Sequence, residues 1–269
     1  RILGGKRESA LKLAIVIEYI HAATLVHDDV IDGAEMRRGR ESLNAFLRNK
    51  EVVLFGDWLY MTAFAGALDL ADFRILQTLI RVTRQMVEGE LLQMEAAFNP
   101  DVTEDVRERI TFCKTAGLFS CSCRLGAQAA GAEPRVEEGF SRFGEALGMS
   151  FQLVDDLLDY TSCEKDLGKP VLKDLEEGNV TLPIIYLLGE ASPPDRRFVR
   201  EVISGGKPGP ESKTRILKLV RRYGCLERTA ARAEAYAVQA REALEMIPLE
   251  EDSRNLLQAL PGWILSRSC

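Results

Sequence analysis

Apolar residues in this chain recur at three- and four-residue spacing almost from end to end, whereas strand-like alternation and hairpin dipeptides are scarce. A chain with that period buries one stripe per helix and has little from which to build a sheet, so an all-α fold is expected. The spacing predicts helices over about Ser9 to Ile31, Val52 to Leu70, Phe73 to Phe98, Thr103 to Ala130, Val136 to Tyr160 and Thr181 to Leu188, with a further set from about Asp195 to the end. Asp101, Glu104 and Asp105 supply negative charge where the dipole of the Thr103 helix favours it, and Gly131 and Pro134 close that helix.

Gly131 to Pro134, Ser192 to Pro194 and Gly205 to Pro210 punctuate the chain, but none is long enough for a flexible linker. One domain over residues 1–269 is therefore expected, its C-terminal helical lobe starting at about residue 195. With 46% hydrophobic residues there is ample material for a core, and a disordered or collagen-like chain is excluded. A formal net charge of -6 leaves no broad basic field, so no nucleic-acid partner is expected. The apolar run from Leu11 to Val26 is broken by Lys12, Glu18 and His21, which argues against a transmembrane segment. No CxxC pair occurs among the six cysteines, and reduced thiols in a cytoplasmic protein are expected.

Against this background two short sequences stand out. Asp28, Asp29 and Asp32 form DDVID, and Asp155, Asp156 and Asp159 form DDLLD. Acids at i, i+1 and i+4 put the first and last of each triplet one turn apart on one helix face. One such triplet reads equally well as a solvated helix face. Two, each following an apolar run, crowd like charges where burial penalises them, and a cation is expected between them. Oxygen donors without His or Cys suit Mg2+, which bridges carboxylates to phosphates, so a phosphorylated substrate follows. Arg37, Arg38 and Arg40 follow the first triplet, and Lys165, Lys169 and Lys173 the second; guanidinium and ammonium groups hold phosphate oxygens.

In order and spacing GGKR (Gly4 to Arg7), IHAATLVHDDVID (Ile20 to Asp32), MRRGR (Met36 to Arg40) and GDWLY (Gly56 to Tyr60) stand in the first part of the chain. EGELLQ (Glu88 to Gln93), CKTAGLF (Cys113 to Phe119), FQLVDDLLDY (Phe151 to Tyr160), LGKPVLKDLEEG (Leu167 to Gly178) and TLP (Thr181 to Pro183) follow. With these segments the chain resembles the trans-isoprenyl diphosphate synthases, the head-to-tail prenyltransferases, which implies a single large antiparallel helical bundle of isoprenoid-synthase type around a central substrate cavity. The resemblance implies a Mg2+ cluster on Asp28, Asp32 and Asp155, with Asp29, Asp156 and Asp159 completing or supporting the metal shell. It implies that Arg37, Lys114 and Lys169 assist in gripping an allylic diphosphate, that Lys6, His21 and Arg38 hold the diphosphate of isopentenyl diphosphate, and that Thr115 and Gln152 line the reacting carbons. Asp28, Asp32, Asp155, Lys114 and Lys169 are then the catalytic set.

Product length in such enzymes depends on what closes the tunnel below the first triplet. Ala23 and Thr24 stand where farnesyl-producing relatives commonly carry an aromatic plug, and the next turn presents Ile20 and Tyr19. A product of geranylgeranyl length or longer is expected. The resemblance also implies a homodimer, for which GDWLYMTAFAGALDL is the candidate face, tested by a charge at Phe64. Two departures stand out. Relatives continue GGK with an Arg three residues on and then Pro; here Ser9 follows and a segment between Arg7 and Glu8 is expected to be missing, while Asn179 stands where many relatives have Lys.

Two alternatives use similar chemistry. A class I terpene cyclase also ionises an allylic diphosphate, but its second cluster usually mixes Asn, Ser and Glu and it needs no isopentenyl site. A non-catalytic partner subunit tends to lose one triplet, and here both are intact. A di-iron centre built on Glu18 and His21 fails because such sites need two E-x-x-H pairs, and His27 has Thr24 in place of the acid. Glu88 and Glu90 read equally well as a structural polar seam.

Overall fold

The computed structural model describes residues 2–33, 36–37, 40–161 and 172–267, with only the backbone of Met36, Arg37 and Arg40. The described residues are overwhelmingly helical. In chain order they form α1 (Arg7–Ile31), a short antiparallel pair β1 (Met36–Arg37) and β2 (Arg40–Glu41), α2 (Asn49–Leu68), α3 (Phe73–Ala96), α4 (Glu104–Thr111), a π turn (Phe112–Ala116), α5 (Gly117–Ala129) and α6 (Pro134–Thr161). After these come α7 (Lys173–Glu176), α8 (Leu182–Glu190), α9 (Pro193–Ser204), α10 (Pro210–Arg222), α11 (Cys225–Glu245) and α12 (Glu251–Leu265). The predicted helices lie within a few residues of these, and Thr103 caps α4 by accepting the Val106 N–H at 3.3 Å.

Two apolar clusters hold the helices. One gathers Leu13, Val16 and Ile20 of α1 with Ala63 of α2, Leu79 and Val82 of α3 and Leu125 of α5. The other joins α6 to the C-terminal helices through Phe143, Leu153, Leu187, Ile216, Ala233 and Leu244. Each fully buried leucine or isoleucine in them stabilises the fold by about 1.5–3 kcal/mol. Tyr160, 1% exposed, ties the end of α6 to the start of α8 through a 2.7 Å hydrogen bond with Thr181.

The helix expected to run unbroken from Thr103 to Ala130 contains the π turn, whose extra residue turns Lys114 and Thr115 toward the interior cavity. Two glycines let neighbouring helices close on it. A Cβ at Gly89 of α3 would stand 2.5 Å from the Cβ of Cys113, and one at Gly148 of α6 would stand 2.6 Å from the Cα of Ala116.

Two helices are apolar enough to be weak candidates for crossing a bilayer, and neither is a clear transmembrane segment. By length and hydropathy α1 and α2 both suffice, with mean hydropathy 1.5 and 1.2 over their most apolar windows. Much of that apolar surface is outward: Leu54, Trp58 and Met61 of α2 and Leu91 and Met94 of α3 are all more than half exposed.

Candidate active site

A cavity of about 480 Å³ collects side chains from α1, α3, α4, the π turn, α6 and α7. Asp28 and Asp32 enter it from the C-terminal end of α1, Asp155 from α6, and Asp174 and Glu177 from α7 and the residue after it. Five carboxylates thus face one lysine, Lys114, and one arginine, Arg107. Acids in this excess repel one another as protein crowds around them. Burial, and then the neighbouring Glu177, hold the Asp32 carboxyl above its ordinary range. Burial followed by the nearby Asp156 and Asp159 pushes Asp174 up to about 8.

The second triplet divides its labour. Asp155 reaches the cavity and pairs with Arg267 at 2.8 Å; that guanidinium also lies 4.4 Å from the centre of the Phe151 ring. Asp156, 1% exposed, accepts hydrogen bonds from Arg107 Nη2 at both oxygens, at 3.1 and 2.9 Å. Gln152 Nε2 donates to the same carboxylate at 2.9 Å, while Gln152 Oε1 accepts from Thr115 at 2.8 Å. A buried chain from Thr115 through Gln152 and Asp156 to Arg107 therefore fixes the wall of the cavity. Asp159 accepts the backbone N–H groups of Lys173 and Asp174 at 2.9 and 3.1 Å, and burial raises its carboxyl despite them. It acts as an N-cap for α7, which is entered through Leu172 at φ 60. That left-handed residue costs about 1–2 kcal/mol, and its full burial offsets the strain.

Asp156 and Asp159, expected to complete or support the metal shell, here fix the cavity wall and the start of α7. In the first triplet Asp29 is likewise turned inward, 5% exposed, and its backbone carbonyl accepts from Asn44 Nδ2. Asp28, Asp32 and Asp155 are the residues that could hold a hard divalent cation. Among the described residues no three acids or imidazoles converge closely enough to hold an ion alone. Donors spread over two helices suit an ion that keeps its waters and shares substrate phosphate oxygens.

The structure brings His21, Thr24, Lys114, Thr115 and Gln152 to this cavity as well. Lys114 is additionally paired with Glu90, which the sequence left as a structural seam. It does not bring Lys6, which lines a separate apolar groove beside Leu3, Cys123 and Phe140. Ala23 and Ile20 are fully buried and line neither that groove nor the cavity, whereas Thr24 does line the cavity. The Arg37 side chain, Arg38 and Lys169 lie outside the described residues. α1 runs without a break from Arg7.

Sequence reasoning missed Arg107, Asp174, Glu177 and Arg267. Arg107 had one local signal: it stands three residues before Ile110 on the same face of α4, and a charge beside a buried apolar residue asks for a partner.

The chain matches the polyprenyl synthetase family over residues 1–220. It is 37% identical over 248 residues to the octaprenyl diphosphate synthase of Escherichia coli strain K12, spanning 92% of this chain and 76% of that one. To the all-trans-nonaprenyl-diphosphate synthase (geranyl-diphosphate specific) of Rhodobacter capsulatus it is 38% identical over 258 residues, 96% of this chain and 78% of that one. Its fold superposes with a TM-score of 0.93 on a polyprenyl synthase of Caulobacter crescentus CB15 complexed with calcium and isoprenyl diphosphate, at 33% identity across 100% of this chain and 82% of that one.

Proposed function

Because the chain belongs to the polyprenyl synthetase family of prenyltransferases, we propose that it joins isopentenyl diphosphate head to tail to an allylic prenyl diphosphate. Mg2+ is its metal and an all-trans polyprenyl diphosphate of geranylgeranyl length or longer its product. The observation that carries this reading is the meeting of Asp28 and Asp32 from α1 with Asp155 from α6 in one cavity, with Lys114 on its wall. Relatives named for octaprenyl, nonaprenyl and heptaprenyl products support the longer end of that range.

Bound Mg2+ would supply Lewis-acid stabilisation of the departing diphosphate. Asp28, Asp32 and Asp155 would hold the metal, and Lys114 adds a positive charge toward the diphosphate oxygens on which negative charge grows. Thr115 and Gln152, fixed by the hydrogen-bonded chain to Asp156 and Arg107, line the reacting carbons. Phe119 and Phe151, 5.4 Å apart between ring centres, give the cavity an apolar side that limits water near a carbocation. The double bond of isopentenyl diphosphate attacks that cation, a proton passes to the released diphosphate, and the chain grows by one isoprene unit. His21 is the described residue we assign to the isopentenyl diphosphate.

We assign the outward apolar face of α2 and α3 to a homodimer. Phe64 packs against the first apolar cluster, so Trp58, 57% exposed, is the better probe of that face; a monomer is expected from Trp58→Glu in sedimentation. Cys113, Cys121, Cys123 and Cys225 are free thiols, which supports a cytoplasmic location.

The test is incubation with Mg2+, labelled isopentenyl diphosphate and farnesyl diphosphate, followed by sizing of the dephosphorylated lipids. A ladder ending in one dominant chain is expected. Cyclic hydrocarbon formed without isopentenyl diphosphate would instead identify a terpene cyclase, and no turnover with any allylic primer would identify a non-catalytic subunit.

A further inference from the structure

GDWLY meets the first acidic triplet through His27. Gly56, buried in α2, leaves a notch that the imidazole fills: a Cβ at Gly56 would stand 2.2 Å from Nε2 and 2.5 Å from Cδ2. Only glycine leaves room for the ring there. Inside the notch Nε2 lies 3.1 Å from the carbonyl oxygen of Val53, which can only accept, so Nε2 carries the hydrogen and donates it. Tyr60, one turn further along α2, stands against the ring with 5.7 Å between centres. Asp57 lies 3.5 Å from the same nitrogen, but its side chain is more than half exposed, so that pair contributes little. The seat fixes more than one side chain. Successive residues are turned about 100° around a helix axis, so with His27 held against α2 the next residue, Asp28, is turned into the carboxylate cavity, and Asp32 follows one turn on. Any rotation of α1 at His27 passes directly to both carboxylates.

Resting on the prenyltransferase reading, we propose that His27 is a positioning residue of the metal site: seated at Gly56 and hydrogen-bonded to Val53, it sets the rotation of α1 and so aims Asp28 and Asp32 at the Mg2+ that the diphosphate shares. His27 neither ligates the metal nor moves a proton; it acts through the acid that follows it.

The test reads Mg2+ affinity in two ways: from the rise in thermal midpoint with Mg2+ and inorganic diphosphate, and from the Mg2+ dependence of turnover with farnesyl and isopentenyl diphosphates. His27→Leu fills much of the notch but donates nothing. His27→Gln carries an amide nitrogen the same number of bonds from Cα as the imidazole Nε2, so it can still donate to Val53. His27→Leu is expected to raise the half-saturating Mg2+ concentration about 10-fold in both readouts, the size of effect found for groups that orient metal ligands, with a smaller fall in kcat at saturating Mg2+. His27→Gln should recover most of that loss, and Gly56→Ala, which expels the ring, should match His27→Leu. Wild-type Mg2+ affinity in His27→Leu would overturn the inference, as would equal losses in His27→Leu and His27→Gln. Failure of the prenyltransferase reading shows separately, as no elongation by a wild-type protein whose midpoint still rises with Mg2+ and diphosphate; the His27 variants then decide the inference by that rise alone.

Discussion

DDVID and DDLLD have the same spacing and sit at the same place on their helices, yet the protein uses them differently. In both, the middle acid is turned inward: Asp29 is 5% and Asp156 1% exposed. The outer acids diverge. Asp28 and Asp32 both face the cavity, while in the second triplet only Asp155 does, because Asp159 caps α7. Spacing thus fixes which acids share a helix face, and the elements packed beyond the helix end decide what those acids do. The first triplet is followed by a short β pair, the second by a helix whose first N–H groups need an acceptor.

The largest effect should come from breaking the inward half of this arrangement. Arg107→Ala leaves Asp156 buried without its cation, which costs about 3–5 kcal/mol and is read from the urea unfolding midpoint. Replacing both partners, Arg107→Met with Asp156→Leu, should recover most of that loss. A single-variant cost below about 1 kcal/mol would put Asp156 in the class of exposed pairs and erase the contrast between middle and outer acids.

Asp28→Asn acts on the outward half. With its fold preserved, it should lower kcat/KM about 10²–10³-fold, the magnitude of removing one electrostatic stabiliser, while the unfolding midpoint holds. Asp159→Ala should do the reverse, removing the acceptor at the start of α7 at a cost of about 1 kcal/mol with a smaller fall in turnover. Equal kinetic losses from the two would mean that Asp159 acts on the metal as directly as Asp28 does.

How much of this could be read in advance follows from distance along the chain. The helices and the outer acids were legible because a 3.6-residue period and an i, i+4 spacing are local properties of the sequence. Lys114, Thr115 and Gln152 reach the cavity as the resemblance implied. The partner of Asp156 lies 49 residues away, and nothing local links DDLLD to Arg107. The π turn was hidden because one extra residue leaves the apolar spacing of FCKTA nearly unchanged. Lys6 stands at the N-terminal cap of α1, beside a different groove, because a motif fixes a residue's neighbours and not its reach.

Both triplets couple to pH in the same direction through their last acid. Asp32, Asp159 and Asp174 all hold their protons above the ordinary carboxylate range, burial being the first cause in each. A raised carboxyl contributes stability that is complete below its unfolded value and lost as pH rises through its folded one. The metal-free protein should therefore lose stability from about pH 4 upward, with the Asp174 share gone by about 8. Metal competes with those protons. The rise in thermal midpoint on adding Mg2+ should be larger at pH 8 than at pH 6, and proton release should accompany binding at pH 6. An equal rise at both pH values would mean that the raised acids stand apart from the metal site.

The smallest stability effect, and the sharpest probe of the second triplet, belongs to Arg267. Its guanidinium pairs with Asp155 at partial exposure, 28% and 42% for the two side chains. A pair so open to water contributes about 0–1 kcal/mol, so Arg267→Ala should barely move the unfolding midpoint. It should nevertheless lower the Mg2+ concentration that half-saturates turnover, because a cation now engaged with a proposed metal ligand is removed. Arg267 acts at Asp155, so Arg267→Ala combined with Asp28→Asn should leave the kinetic defect of Asp28→Asn in place. A higher Mg2+ requirement in Arg267→Ala would show the opposite role: Arg267 would hold Asp155 in position for the metal, with stacking on Phe151 fixing the guanidinium.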